Sequence, residues 1–245
     1  MSVRKLTTVL FFVALPVHLP ANVIVPPGFG AVEGNSGQIT AIATAPRTFQ
    51  AVLSSSFFTG FVGQFITGIR YRLETGTTTW PPGNVTFANY DMVLSTSLNP
   101  PGSLSNVFAN NIGPDAVTVR SGPLTIPAGS FPGGTGPNPF GFLINFTQPY
   151  LYQGGDLLIT IRHTGRPGTD VFLDAETSGT NVLYQTIGAQ SYNATTVDLS
   201  LRATPIMLIE FQPTGEVIPE PGTVSLISFG IVALLMLSRR RWRLS

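Results

Sequence analysis

The feature that most restricts this chain is a period of two. In Ile69-Arg70-Tyr71-Arg72-Leu73-Glu74 the apolar or aromatic residues alternate with charged ones, as they do in a strand with one face in a core and the other in water. Phe140, Phe142, Ile144 and Phe146 repeat the pattern, as do Leu157, Ile159 and Ile161, and Val197, Leu199 and Leu201. Weaker alternation covers 48–55, 85–95, 104–109, 116–121, 171–176, 182–186 and 207–211. Turn signals separate these runs: Pro81-Pro82-Gly83-Asn84, Asn99-Pro100-Pro101-Gly102, a Gly- and Pro-rich loop over 129–139, Gly154-Gly155-Asp156 and Gly165-Arg166-Pro167-Gly168. Roughly ten to twelve short antiparallel strands with turns every ~8–15 residues predict an all-β fold. The expected architecture is an antiparallel two-sheet β-sandwich, jelly-roll-like, over 46–213, with 22–45 as a lead-in segment.

Residue supply excludes several chemistries. Lys5 is the only lysine, so the chain has no Walker-type phosphate loop. It has no cysteine, which removes disulfides, thiol nucleophiles and Cys-containing zinc sites. His18 and His163 are the only histidines, too few for a multi-histidine metal centre. His163 follows Ile161 on the same strand face and ends at a turn, where a hydrogen bond to a loop is the expected role. No Gly-x-Ser-x-Gly elbow is present, and the chain is expected not to be an enzyme. Between 22 and 238, seven arginines against twelve acids leave a net charge of −5. An acidic body with scattered arginines argues against nucleic-acid binding.

The ends read differently. Arg4 and Lys5 precede an uncharged apolar run over 6–15, followed by Pro16, Pro20 and Ala21. This is the layout of a signal peptide over 1–21, forming a signal helix too short to span a bilayer and cut after Ala21. At the other end, 222–238 carries no charge and is stopped by Arg239, Arg240 and Arg241. Seventeen residues make about 26 Å of helix, at the lower edge of a spanning length. The arginines hold their end cytoplasmic and fix 222–238 as a transmembrane helix with a basic tail over 239–245. A linker over 214–221 contains Pro219-Glu220-Pro221, where proline on both sides holds Glu220 extended.

Pro-Glu-Pro, a short apolar helix and a terminal arginine cluster, in that order, resemble the PEP-CTERM sorting signal of Gram-negative bacteria. Ile218 stands where Val is commoner and Gly222 where Ser is commoner. The resemblance implies export by the general secretion machinery and a precursor held transiently in the inner membrane, its body in the periplasm. It also implies processing by exosortase at Pro219, Glu220 and Pro221, with the mature form at the cell surface or outside the cell, alongside exopolysaccharide. The body resembles the β-rich ectodomains found upstream of such signals, through Ile66-Thr67-Gly68-Ile69 and Gly154-Gly155-Asp156-Leu157-Leu158-Ile159.

Two further constellations are candidates for binding. Trp80 stands before Pro81-Pro82, and with Tyr90, Tyr150 and Tyr152 it is the candidate for a lectin-like stacking site on extracellular polysaccharide. Asp170, Asp174 and Glu176 form the densest acidic stretch and are the candidate ligands for calcium, a cation that takes clustered hard oxygens. No other cofactor is expected. The leading expectation is a non-enzymatic exported surface or matrix protein. A carbohydrate-binding module is the alternative, and a secreted hydrolase using paired carboxylates is the third.

Overall fold

The computed structural model describes residues 21–177 and 183–214. The expected signal segment up to residue 20, the Pro219-Glu220-Pro221 motif, the helix over 222–238 and Arg239, Arg240 and Arg241 lie outside the described residues. Among the described residues, no helix is long and apolar enough to cross a membrane.

The described chain is all-β. Its fourteen strands are β1 (Ala21–Val25), β2 (Ser36–Gln38), β3 (Arg47–Leu53), β4 (Gln64–Tyr71), β5 (Val85–Phe87), β6 (Tyr90–Thr96), β7 (Val117–Arg120), β8 (Leu124–Ile126), β9 (Leu143–Tyr152), β10 (Leu157–His163), β11 (Leu173–Thr177), β12 (Tyr184–Ala189), β13 (Ala203–Pro205) and β14 (Met207–Pro213). One antiparallel sheet runs β1-β14-β4-β9 and a second runs β12-β3-β10-β6-β7. A small sheet, β13-β11-β2, and the pair β5-β8 complete the framework.

The two large sheets share one core. Ile66, Ile69, Met207, Ile209, Phe211 and Ile144 from the first meet Phe49, Leu53, Met92, Leu94, Leu157, Ile159 and Ile161 from the second. Each such side chain contributes about 1.5–3 kcal/mol by leaving water. The five-stranded sheet is also covered on its outer face. There Val52, Leu158, Ile187 and Ala189 pack under Leu104 and Phe108. This second layer explains why β3 and β10 read as nearly continuous buried runs rather than alternating ones. Polar groups beneath it are paired: Asn111 Nδ2 donates to Gln50 Oε1 at 2.9 Å, and Gln50 Nε2 donates to Thr160 Oγ1 at 3.0 Å.

Three expectations change, the first being that the run over 104–109 forms a loop entering a short 3-10 helix at Phe108–Asn111 rather than a strand. The segment over 22–45 is part of the body rather than a lead-in, because β1 pairs with β14 and Val25, Ala41 and Ile42 lie in the core at 0% exposure. The alternating stretch over 197–202 forms no ladder. Val197, Leu199 and Leu201 are still the less exposed of the set, and the segment touches its neighbours through the isolated bridge Gly188↔Leu199.

Candidate functional site

The most strongly charged interior of the described residues is built where β4 runs out. Ile69, Tyr71 and Leu73 point into the core, so Arg70 and Arg72 share the opposite face. Arg70 meets Glu210 at 2.8 Å near the surface. Arg72 does not reach solvent, because the loop through Val32 and the strand β11 close over it, leaving its side chain 1% exposed. Its Nε and Nη2 both lie 2.6 Å from Asp174 Oδ2, and Nη2 also donates to the Val32 carbonyl at 2.6 Å. The other carboxylate oxygen of Asp174 accepts from Gly34 N at 2.9 Å. Only glycine permits that approach: a Cβ at position 34 would stand 2.0 Å from the Ala175 carbonyl oxygen.

Two more carboxylates join this pair. One oxygen each from Glu33, Glu74 and Asp174 can be chosen so that all three lie within 4.8 Å of one another. Glu33 Oε1 accepts from Thr75 N at 2.9 Å, whereas Glu33 Oε2 and Glu74 Oε2 are sealed and accept no hydrogen bond among the described residues. Burial raises the Glu74 carboxyl to about 7, with the charges of Asp174 and Glu33 adding to it and Arg72 opposing. Burial and then Asp174 also raise Glu33, against the Thr75 N–H and Arg72. Asp174 too is raised by burial, which outweighs its bonds to Arg72.

Three acids around one guanidinium carry excess negative charge in a place partly withdrawn from water. A cation or a proton can relieve it. Asp174 is already committed to Arg72 and Gly34, which leaves two carboxylates, well short of the ~6–8 oxygens calcium takes. The raised Glu33 and Glu74 carboxyls fit the second solution, a proton taken up by a carboxyl of the cluster. The cluster is close-set, with Asp174 buried and Glu33 and Glu74 half-buried. Glycoside hydrolysis needs carboxyls ~5–9.5 Å apart flanking a substrate, and this is not that arrangement.

The acids expected to act together are dispersed. Asp170 Oδ1 accepts from Thr44 N at 2.7 Å, and Glu176 accepts from Asn35 N and Nδ2 at 3.2 and 2.9 Å. Only Asp174 of the three enters the buried cluster. The calcium trio of Asp170, Asp174 and Glu176 is therefore replaced by Glu33, Glu74 and Asp174 as the grouping the fold creates.

The aromatic candidates are buried. Trp80 is 7% exposed, packs against Phe131 at 5.5 Å between ring centroids, and carries the Arg166 guanidinium 4.4 Å over its ring. Its backbone pairs with Phe131 in both directions, at 2.9 and 2.8 Å. No face of Trp80 is offered to a sugar. Tyr90 donates to the Ala41 carbonyl, Tyr150 to Asp115 and Tyr152 to the Gly155 carbonyl, all from buried positions. These four residues are core, not a binding surface.

His163 does what its position in β10 predicts. Its Nδ1 accepts from Gly165 N at 3.1 Å, which places the proton on Nε2, 2.8 Å from the Thr40 carbonyl. The ring stacks on Tyr90 at 5.7 Å. Burial holds it neutral and lowers its pKa to about 4.

Arg72, Glu33 and Glu74 carry no local motif. The one signal is scarcity: with 10% of residues charged, an arginine between Tyr71 and Leu73 is a conspicuous group to cover. That signal names no partner. No family model, curated protein or solved structure matches the chain.

Proposed function

We propose that this chain is an exported, exosortase-processed protein of the cell surface or extracellular matrix, with a jelly-roll-like sandwich that does no chemistry of its own. In this reading a signal helix and the general secretion machinery deliver it, and the helix over 222–238 holds the precursor in the inner membrane. Exosortase then acts at Pro219, Glu220 and Pro221. Its surroundings are extracellular polysaccharide, and nucleic acid is not a partner.

One observation carries most of the structural support. β1 and β14 are antiparallel neighbours, with Ala21 opposite Phe211, so the chain enters and leaves the body at the same place. Such an arrangement suits a precursor held at both ends by one membrane. The last strand, β14, lies inside its sheet and ends at Pro213. Processing at Pro219-Glu220-Pro221 would remove no strand of the body.

The test is fractionation of wild type against a variant with Pro219, Glu220 and Pro221 all changed to alanine. The variant is expected to stay in the inner-membrane fraction with its C-terminal segment uncut. Maturation to the wild-type mass and location would overturn the reading. Carbohydrate recognition is retained as a second reading because of one surface groove, described next.

A further inference from the structure

β2 and the segment leading into β13 flank an open groove of about 240 Å3. Its lining includes Ser36, Gln38, Phe172, Ser200, Leu201 and Arg202. Three of these have unspent binding capacity.

Phe172 is 54% exposed, although its neighbours Val171 and Leu173 are 7% and 0% exposed. Its backbone is fixed, since its carbonyl accepts from Glu74 N at 3.0 Å, and Leu173 opens β11. The side chain leans on Gly37, where an added Cβ would stand 3.0 Å from Phe172 Cδ1. A large aromatic group is thus held at the surface beside the groove, where its exposure has no stabilising role in the fold.

Arg202 is exposed and forms no hydrogen bond or ion pair among the described residues. The body's other arginines all donate: Arg47 to Pro46, Arg70 to Glu210, Arg72 to Asp174, Arg120 to Pro123, Arg162 to Ala194 and Arg166 to Ile42. Among the described residues Arg202 is thus the one arginine whose guanidinium has no partner at all, and it lines the groove. Gln38 is 5% exposed, accepts from Thr40 N through Oε1, and reaches the Ala203 carbonyl with Nε2 only at 3.5 Å. Its amide has a donor to spare.

We infer that this groove binds a carboxylated sugar ring, a uronate unit of an acidic polysaccharide. A pyranose uronate presents an apolar C–H face for Phe172 and ring hydroxyls for Gln38, Ser36 and Ser200. Its single carboxylate suits the fork of Arg202. The volume is below the ~300–1,000 Å3 of drug-sized pockets, which suits one ring at a time, and the open form leaves room for a chain to continue on either side. An inorganic anion would leave Phe172 unused, and a neutral sugar would leave Arg202 unused. The inference deepens the carbohydrate reading and rests on it, but not on the route of export.

Calorimetric titration of the full-length chain in detergent micelles with tetragalacturonate tests it, with maltotetraose as the neutral control. Tetragalacturonate is expected to bind at least ten-fold more tightly than maltotetraose. Phe172→Ala and Arg202→Gln should each weaken it ten-fold or more, and Phe172→Tyr, which keeps the ring, should retain it. Both positions are exposed, and unchanged melting temperatures would show that the variants fold. Absence of tetragalacturonate binding, equal binding of the two sugars, or unaltered binding by Phe172→Ala and Arg202→Gln would overturn the inference. None of those results would alter where the Pro219-Glu220-Pro221 variant fractionates, so the two proposals fail separately.

Discussion

The Arg72 guanidinium and the Asp174 carboxylate, 102 residues apart in the chain, meet at 2.6 Å with their side chains 1% and 0% exposed. A buried pair of this kind contributes little over an apolar pair of the same shape, yet losing one partner strands a charge. Asp174→Ala is expected to cost about 3–5 kcal/mol in urea denaturation. Arg72→Met combined with Asp174→Leu should recover most of that loss. A double variant no more stable than Asp174→Ala would show that the ion pair, not merely the space it fills, sustains the fold.

Glu74 gives a stability term with a definite sign. In the folded chain its carboxyl keeps a proton up to about pH 7, whereas the unfolded chain releases it near the ordinary glutamate value of 4.5. Between those values the folded state binds more protons, so rising pH favours unfolding. Glu74→Gln, which cannot ionise, should gain on wild type as pH climbs from 4.5 to 7 and keep that lead above 7. Melting temperatures at pH 4.5, 6 and 8 check this, and a constant offset across the series would refute it. Calcium at ~1 mM should not raise the wild-type melting temperature at pH 8, as it would if the cluster held that cation.

His163 contributes with the opposite sign. Its imidazole stays neutral down to about pH 4 when folded but takes up a proton near 6.5 when unfolded. Stability from this group is complete above 6.5 and lost as pH falls through 4, a change of roughly 3 kcal/mol. His163→Gln should be clearly less stable than wild type at pH 7.5, with the deficit shrinking by pH 4. Chemical denaturation at the two pH values reads the difference. A deficit that grows on acidification would contradict the buried neutral ring.

Trp80 separates packing from binding. Because Phe131 and Arg166 take up its ring, Trp80→Ala should destabilise the chain by about 3–5 kcal/mol, the range for truncating a buried large aromatic. Equilibrium unfolding measures this. Tetragalacturonate binding by the folded fraction is expected to be unchanged. A variant of wild-type stability would return Trp80 to the surface.

The alternation in the sequence located β3, β6, β10 and β14 because each carries several apolar residues at a period of two, whereas the run over 69–74 met only the last three residues of β4. It missed β2, whose Ser36-Gly37-Gln38 has no apolar member, and β8, which spans only Leu124–Ile126. β1 was hidden because Ala21-Asn22-Val23-Ile24-Val25 follows directly on the N-terminal apolar region. Over 197–202 the period reported burial correctly but not hydrogen bonding, since a loop crossing the core's edge can alternate without a partner strand. The candidate sites were harder for a physical reason. Asp174 is neighbour to Asp170 and Glu176 in sequence, but β11 turns it toward Arg72 and Glu33, contacts that only the tertiary fold creates. Trp80 beside two prolines looked like a loop tip, and the strand-like bridge to Phe131, at distant sequence separation, draws it inward.

The pairing of Ala21 with Phe211 has a mechanical consequence. Force applied between the two ends of the body acts across the strands rather than along them, at the first rung of the β1–β14 ladder. The rungs then part singly, Ala21 from Phe211, then Asn22 from Glu210, then Val23 from Ile209, instead of sharing the load. Under tension β1 opens as a zipper does, and the core resists only at its edge, where Val23 and Val25 must leave it, until that strand is gone.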